Sequence, residues 1–218
     1  MSPATSRRLP LAGGRPRICP DTGCEAPLEL PYMCHSCGTL LRDLPGLTHF
    51  ARLGVAPTLD VRPADLEERY LDLSRRLHPD RMVRKGPQTQ ARALALSAAL
   101  NQAYNALRDE RQRAEHLLAI HGGKTADQDR RTPPAFLVEQ LELREQVEAA
   151  RAAGDADRLH AFGARAREQR AAGLARVRAL FADPTFPSPE LLSAIREQLN
   201  VVAYWQSLAS ELDAARLS

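Results

Sequence analysis

Two short stretches hold the residue types that could do chemistry. All four cysteines fall in one of them, as Cys19-x4-Cys24 and Cys34-x2-Cys37, within "CPDTGC" and "CHSC". Two close thiol pairs on tight turns, with Pro20 and Gly23 in the first and Gly38 after the second, can set four sulfurs at the corners of a tetrahedron, the geometry zinc prefers. Iron accepts the same ligand set. Two disulfides would need an oxidising compartment. Dithiol redox chemistry at "CHSC" would need a strand leading into a helix, and no strand pattern precedes it. Four thiolates close the coordination shell, so the site is expected to be structural. With only Leu28, Leu30, Tyr32, Met33 and Leu40 to bury, metal binding is what should fold the segment. His35, inside the second turn, is expected to be a bystander rather than a fifth ligand.

The second stretch is "LHPDR", residues 77 to 81. Pro79 turns His78 away from helical geometry and fixes the exit of the chain, which presents an imidazole and the Asp80 carboxylate at one corner. Around them lie Arg75, Arg76, Arg81, Arg84 and Lys85, and Asp80 is the one acid between residues 75 and 85. No nucleophile or second histidine stands at a catalytic spacing from His78, so general-base or metal chemistry is the poorer reading of it.

Helices must position both stretches. Before the corner, Leu66, Tyr70, Leu73 and Leu77 form one apolar stripe on a helix opened by Pro63, with acids early and Arg75 and Arg76 late, as the helix dipole favours. After residue 90, Leu96, Leu100, Ala103, Leu107, Ala114 and Leu117 with Leu118 form a facing stripe on a second, longer helix. Residues 78 to 90 connect the two, with Pro79, Gly86 and Pro87 expected to exclude helix. Three more helices are predicted at about 134–152, 155–181 and 188–216. In the first of them Phe136, Leu143 and Val147 make the inner stripe. Leu137, Val138 and Leu141 widen it, with Glu142 and Glu145 at its border; this is either deeper burial or an uncovered patch with an acidic rim. Trp205 is expected in the core.

The fold class is therefore all-α, with a small metal-binding head. The predicted segments are a disordered tail (1–17), a tetracysteine module (18–44), a helical hairpin unit (45–121), a polar linker (122–133) and a three-helix bundle (134–218). A hydrophobic fraction of 44% beside 26% charged residues is that of a soluble globular protein, and a net charge of +3 is too mild for uniform nucleic-acid binding. The start lacks an apolar signal region, and no run is long enough to span a membrane, so no membrane role is expected.

The short first helix "LTHFARLGV", the basic second helix, "HPD" and "NQAYNALRD" resemble the J-domain of DnaJ-type co-chaperones. With "RAEHLLAIHG" and "PPAFLVEQLELREQVE", residues 47 to 218 resemble HscB-type co-chaperones of iron–sulfur cluster biogenesis, and "FLVEQLELRE" is the most specific block. The resemblance implies a J-domain at 45–121 that docks on a DnaK/HscA-class chaperone and stimulates its ATP hydrolysis. It carries that role onto His78, Pro79, Asp80, Arg75, Arg76, Arg81, Arg84 and Lys85. It likewise implies that Leu137, Val138, Leu141, Glu142 and Glu145 meet an IscU-type scaffold, with Val201 added by looser alignment. Bacterial members commonly begin at the J-domain, whereas a tetracysteine head is familiar from mitochondrial members, whose first pair is usually C-x2-C rather than C-x4-C.

The leading expectation is thus a non-enzymatic adaptor with structural zinc, monomeric or weakly dimeric. A zinc-dependent nucleic-acid-binding module is the competing reading, and it lacks an aromatic platform or a base-reading helix. A metalloenzyme or dithiol oxidoreductase would need an open metal position or a low-pKa cysteine. All basic residues except Lys85 and Lys124 are arginine, which favours a bacterial cytoplasm over a mitochondrial matrix.

Overall fold

The computed structural model describes residues 18, 19, 23–28, 30, 32–41 and 46–214. The predicted tail, residues 1–17, lies outside them. The chain forms two compact units, Met1–Arg113 and Ala114–Ser218. It is helical, as expected. Among the described residues the β structure is confined to two isolated antiparallel bridges, Ile18 with Pro27 and Met33 with Leu40.

In the first unit, α1 (His49–Leu53) is capped by the Thr48 hydroxyl, which accepts from the Ala51 amide, and it ends on Gly54 at φ 64°. Helix α2 (Pro63–Leu77) starts with proline at its first turn and buries Leu66, Leu73 and Leu77. Where the connection was expected to exclude helix, a one-turn α3 (Pro79–Met82) and a 3-10 turn, Val83–Lys85, are formed. Proline lacks only an N–H that a first helical turn leaves unpaired, so Pro79 and Pro87 each begin a helix here. The expected second long helix is split at Asp109 into α4 (Pro87–Arg108) and α5 (Glu110–Ile120). The Asp109 carboxylate accepts from the Gln112 amide at 2.9 Å, so the side chain offers the new helix the cap that pure continuation would not need.

The α2–α4 hairpin is closed by its leucines and by two polar ties. Ser97 donates to the Leu77 carbonyl at 3.0 Å, which satisfies one of the orphan acceptors at the end of α2. Midway along α2, Tyr70 donates to Asn101 and stacks on Tyr104, with ring centroids 4.2 Å apart.

The second unit contains a bundle of α6 (Pro134–Ala152), α7 (Ala156–Phe181) and α8 (Pro189–Ala214). Phe136, Leu143, Val147, Val201, Trp205, Leu208 and Leu212 share its core. Small residues let α7 and α8 approach closely: a Cβ added at Gly173 would lie 2.6 Å from Val202 Cγ2. The only charged side chain of α8 that is fully buried, Arg196, is paired through both terminal nitrogens with the Glu115 carboxylate, one contact at 2.8 Å.

That pair lies wholly within the second unit, which begins at Ala114. The polar stretch 122–133 is fastened to α8. Asn200 donates to the carbonyls of Asp129 and Arg131 at 3.0 and 2.7 Å, and the buried Asp129 carboxylate is held by Arg131 at 2.6 Å.

Candidate functional site

The four cysteines come together as their spacing predicts. Sγ of Cys19 lies 3.6 Å from that of Cys37, and Sγ of Cys24 lies 3.7 Å from that of Cys34. All four sulfurs are within 4.8 Å of one another. A disulfide requires about 2.05 Å, and all four thiols are free. Tetrahedral zinc with bonds of about 2.3 Å needs sulfurs about 3.8 Å apart, so the cluster fits such an ion. Each half is a small knuckle. Cys19 donates its amide to the Ala26 carbonyl at 2.9 Å, and Cys34 donates to the Thr39 carbonyl at 3.0 Å. The residue after the second cysteine of each pair is left-handed: Gly38 at φ 71° and Glu25 at φ 46°. The longer first pair therefore closes by the same device as the second.

The Thr39 hydroxyl lies 3.1 Å from the Cys37 sulfur. Hydrogen bonds from that hydroxyl and from the Thr39 amide bring the Cys37 thiol down to about 6. The Cys24 thiol is raised: a hydrogen bond from Ala26 lowers it, and burial together with the Cys37 and Cys34 sulfurs outweighs this. A cation held there would supply the charge that lets such crowded thiolates coexist.

The head is not an isolated module. Leu30 is fully buried and lies against Gly54, at the end of α1, and the Tyr32 hydroxyl donates to the Arg52 carbonyl. His35, expected to be a bystander, meets Arg76 of α2, whose Nη1 is 3.3 Å from the imidazole Nδ1. Nothing local signals this contact between residues 41 positions apart.

The His78–Pro79–Asp80 corner points outward, with side-chain exposures of 55% for His78 and 83% for Asp80. His78 is at once the last cap of α2 and the first of α3, at φ −58° and ψ 125°, the extended geometry a residue before proline prefers. Its Nδ1 lies 3.3 Å from the Asp80 amide nitrogen, which donates to it, and 3.6 Å from the Asp80 carboxylate. Arg81 donates to the Arg75 carbonyl at 3.3 Å, and Arg76 pairs with Asp72 at 3.0 Å. Arg75, Arg81, Arg84 and Lys85 are exposed around the corner.

On α6 the inner stripe and the outer patch separate cleanly. Phe136, Leu143 and Val147 are buried, whereas Leu137, Val138 and Leu141 are 50%, 57% and 68% exposed. Glu139 and Glu148 pair with Arg165 and Arg151, but Glu142 and Glu145, on the patch, are exposed and carry no such pair among the described residues. Val201 does not belong to this face. At 6% exposure it sits in the bundle core with Trp205, because it shares the helical stripe Val201, Val202, Trp205, Leu208 and Leu212.

Residues 132–213 match the family model of the HSCB C-terminal oligomerisation domain. The chain is 36% identical over 121 residues to the co-chaperone protein HscB of Proteus mirabilis, covering 55% of this chain and 70% of that one. It is 37% identical over 134 residues to the co-chaperone protein HscB homolog of Ralstonia nicotianae, covering 58% and 76%. Among solved structures, the chaperone HscB from Vibrio cholerae superposes with a TM-score of 0.66 at 25% identity, over 78% of this chain and 98% of that one. The human co-chaperone protein HscB shares the fold, with a TM-score of 0.75 at 20% identity over 92% and 98%. The fold and the four-cysteine head mark a co-chaperone with a metal-binding module. The chain belongs to the HscB family of co-chaperones.

Proposed function

We propose that this chain is an adaptor of iron–sulfur cluster assembly that binds an IscU-type scaffold and stimulates ATP hydrolysis by a DnaK/HscA-class chaperone. The observation that carries the reading is the open corner at His78–Pro79–Asp80, with both ionisable side chains more than half exposed and four further exposed cations beside them. An acidic chaperone surface can approach it without any rearrangement of the hairpin, and opposite charges steer and orient the encounter. The second docking face is the patch of Leu137, Val138 and Leu141 bordered by Glu142 and Glu145, which has the apolar centre and polar rim of a protein interface. The thiolate cluster holds structural zinc, which closes the head with four protein ligands and leaves no open position.

The test is single-turnover ATP hydrolysis by a DnaK/HscA-class chaperone. The chain alone should raise the rate, and the chain with the scaffold should raise it further than the two separate effects combined. No response to the chain overturns the chaperone role; a response indifferent to the scaffold overturns the adaptor role.

A further inference from the structure

A cleft of about 280 Å³ lies between the second cysteine knuckle and the basic hairpin. Met33 and His35 line it from the knuckle, and Arg76, Arg81, Met82 and Lys85 line it from the hairpin. Its two methionines are buried, at 2% and 6% exposure, so the floor is apolar. Three basic side chains stand on the other wall, and no carboxylate is among the lining residues. Of the three, Arg76 has an acid of its own, Asp72 at 3.0 Å, and turns its Nη1 toward His35.

An apolar floor under a cationic rim does not suit a free inorganic anion, which keeps its water and gains nothing from methionine. It suits an acidic side chain carried on a protein surface, whose stem packs on the floor while its carboxylate meets the guanidinium groups. The cleft is also continuous with the docking corner: Arg76 is two residues before His78, and Arg81 follows Asp80. We propose that the cysteine knuckle completes the chaperone-docking face, its cleft receiving an acidic side chain of the chaperone, so that metal loading of the head sets how tightly the chaperone binds. This rests on the chaperone role proposed above. Cys34 and Cys37 flank His35 in sequence, so a metal that gathers them with the other two thiolates would hold this wall of the cleft in place.

The experiment measures affinity of the full chain for a DnaK/HscA-class chaperone in four forms: parent, His35→Glu, Ser36→Glu and His78→Gln, with zinc counted in each. A glutamate at position 35 faces the cleft, whereas one at 36 is exposed on the same knuckle outside it. His35→Glu should bind about tenfold more weakly, the size of one lost charge-assisted contact, and Ser36→Glu should match the parent. The parent stripped of metal, then freed of chelator, should weaken to a similar degree while its helical circular dichroism persists. The inference is overturned if His35→Glu or the stripped chain binds like the loaded parent, or if Ser36→Glu is as weak as His35→Glu. Full binding by His78→Gln would instead overturn the chaperone role itself.

Discussion

Truncating the α6 patch, Leu137→Ala together with Leu141→Ala, separates docking from folding because the two leucines are only partly covered in the free chain. Each change removes three carbons, about 2.4 kcal/mol at ~0.8 kcal/mol per fully buried methylene. A partner can cover only what the fold leaves open, 50% of Leu137 and 68% of Leu141. The loss in binding is then about 1.2 and 1.6 kcal/mol, together close to a hundredfold in Kd. The remaining area, already covered by the bundle, sets a folding cost of about 1–2 kcal/mol after the small gain from alanine's helix propensity. Calorimetric titration with an IscU-type scaffold reads the first quantity and thermal unfolding the second, while chaperone stimulation without scaffold should be unchanged. A scaffold affinity within twofold of the parent refutes the docking face. A folding penalty above about 4 kcal/mol would mean that both leucines behave as core residues.

Gly173→Ala should destabilise the second unit by up to ~2 kcal/mol, since the overpacking cost against Val202 exceeds the roughly 1 kcal/mol gained in helix propensity; a raised melting temperature contradicts the close α7–α8 approach. The Arg131 guanidinium and amide hold the Asp129 carboxyl well below the usual carboxylate range. Its stabilising effect should be complete above the unfolded pKa of about 4 and fade as pH falls below it. In melts from pH 7 to 3, the gap between parent and Asp129→Asn should therefore narrow only in the acid part of the range; a gap independent of pH sinks this account. Purified chain should contain one zinc per molecule, released as the four thiols are titrated, and iron or an absence of metal would count against the structural-zinc reading.

Features carried by short-range periodicity were legible in the sequence. The leucine stripes of α2 and α4 and the outer bounds of α6 and α7 follow from 3.6-residue spacing, and the thiolate cluster follows from two tight cysteine pairs. What the sequence hid is long-range. The Glu115–Arg196 pair, the fastening of residues 122–133 by Asn200 and the docking of His35 on Arg76 join residues tens of positions apart, and no local pattern announces them. Two differences had readable causes. Asp109 is a good helix cap in the middle of an apolar stripe, and Pro79 is as apt to open a helix as to end one. Val201, matched to a scaffold contact by looser alignment, lies on a helical stripe shared with Trp205 and Leu208 that points inward.

The central claim concerns one exposed imidazole, and single-turnover ATP hydrolysis by a DnaK/HscA-class chaperone in the presence of His78→Gln tests it most directly. Because the ring is more than half exposed and its hydrogen bond is with the adjacent Asp80 amide, the substitution should leave the melting temperature where it is and abolish the stimulation that the parent gives. A variant that stimulates as strongly as the parent would show that this corner does not carry the activity.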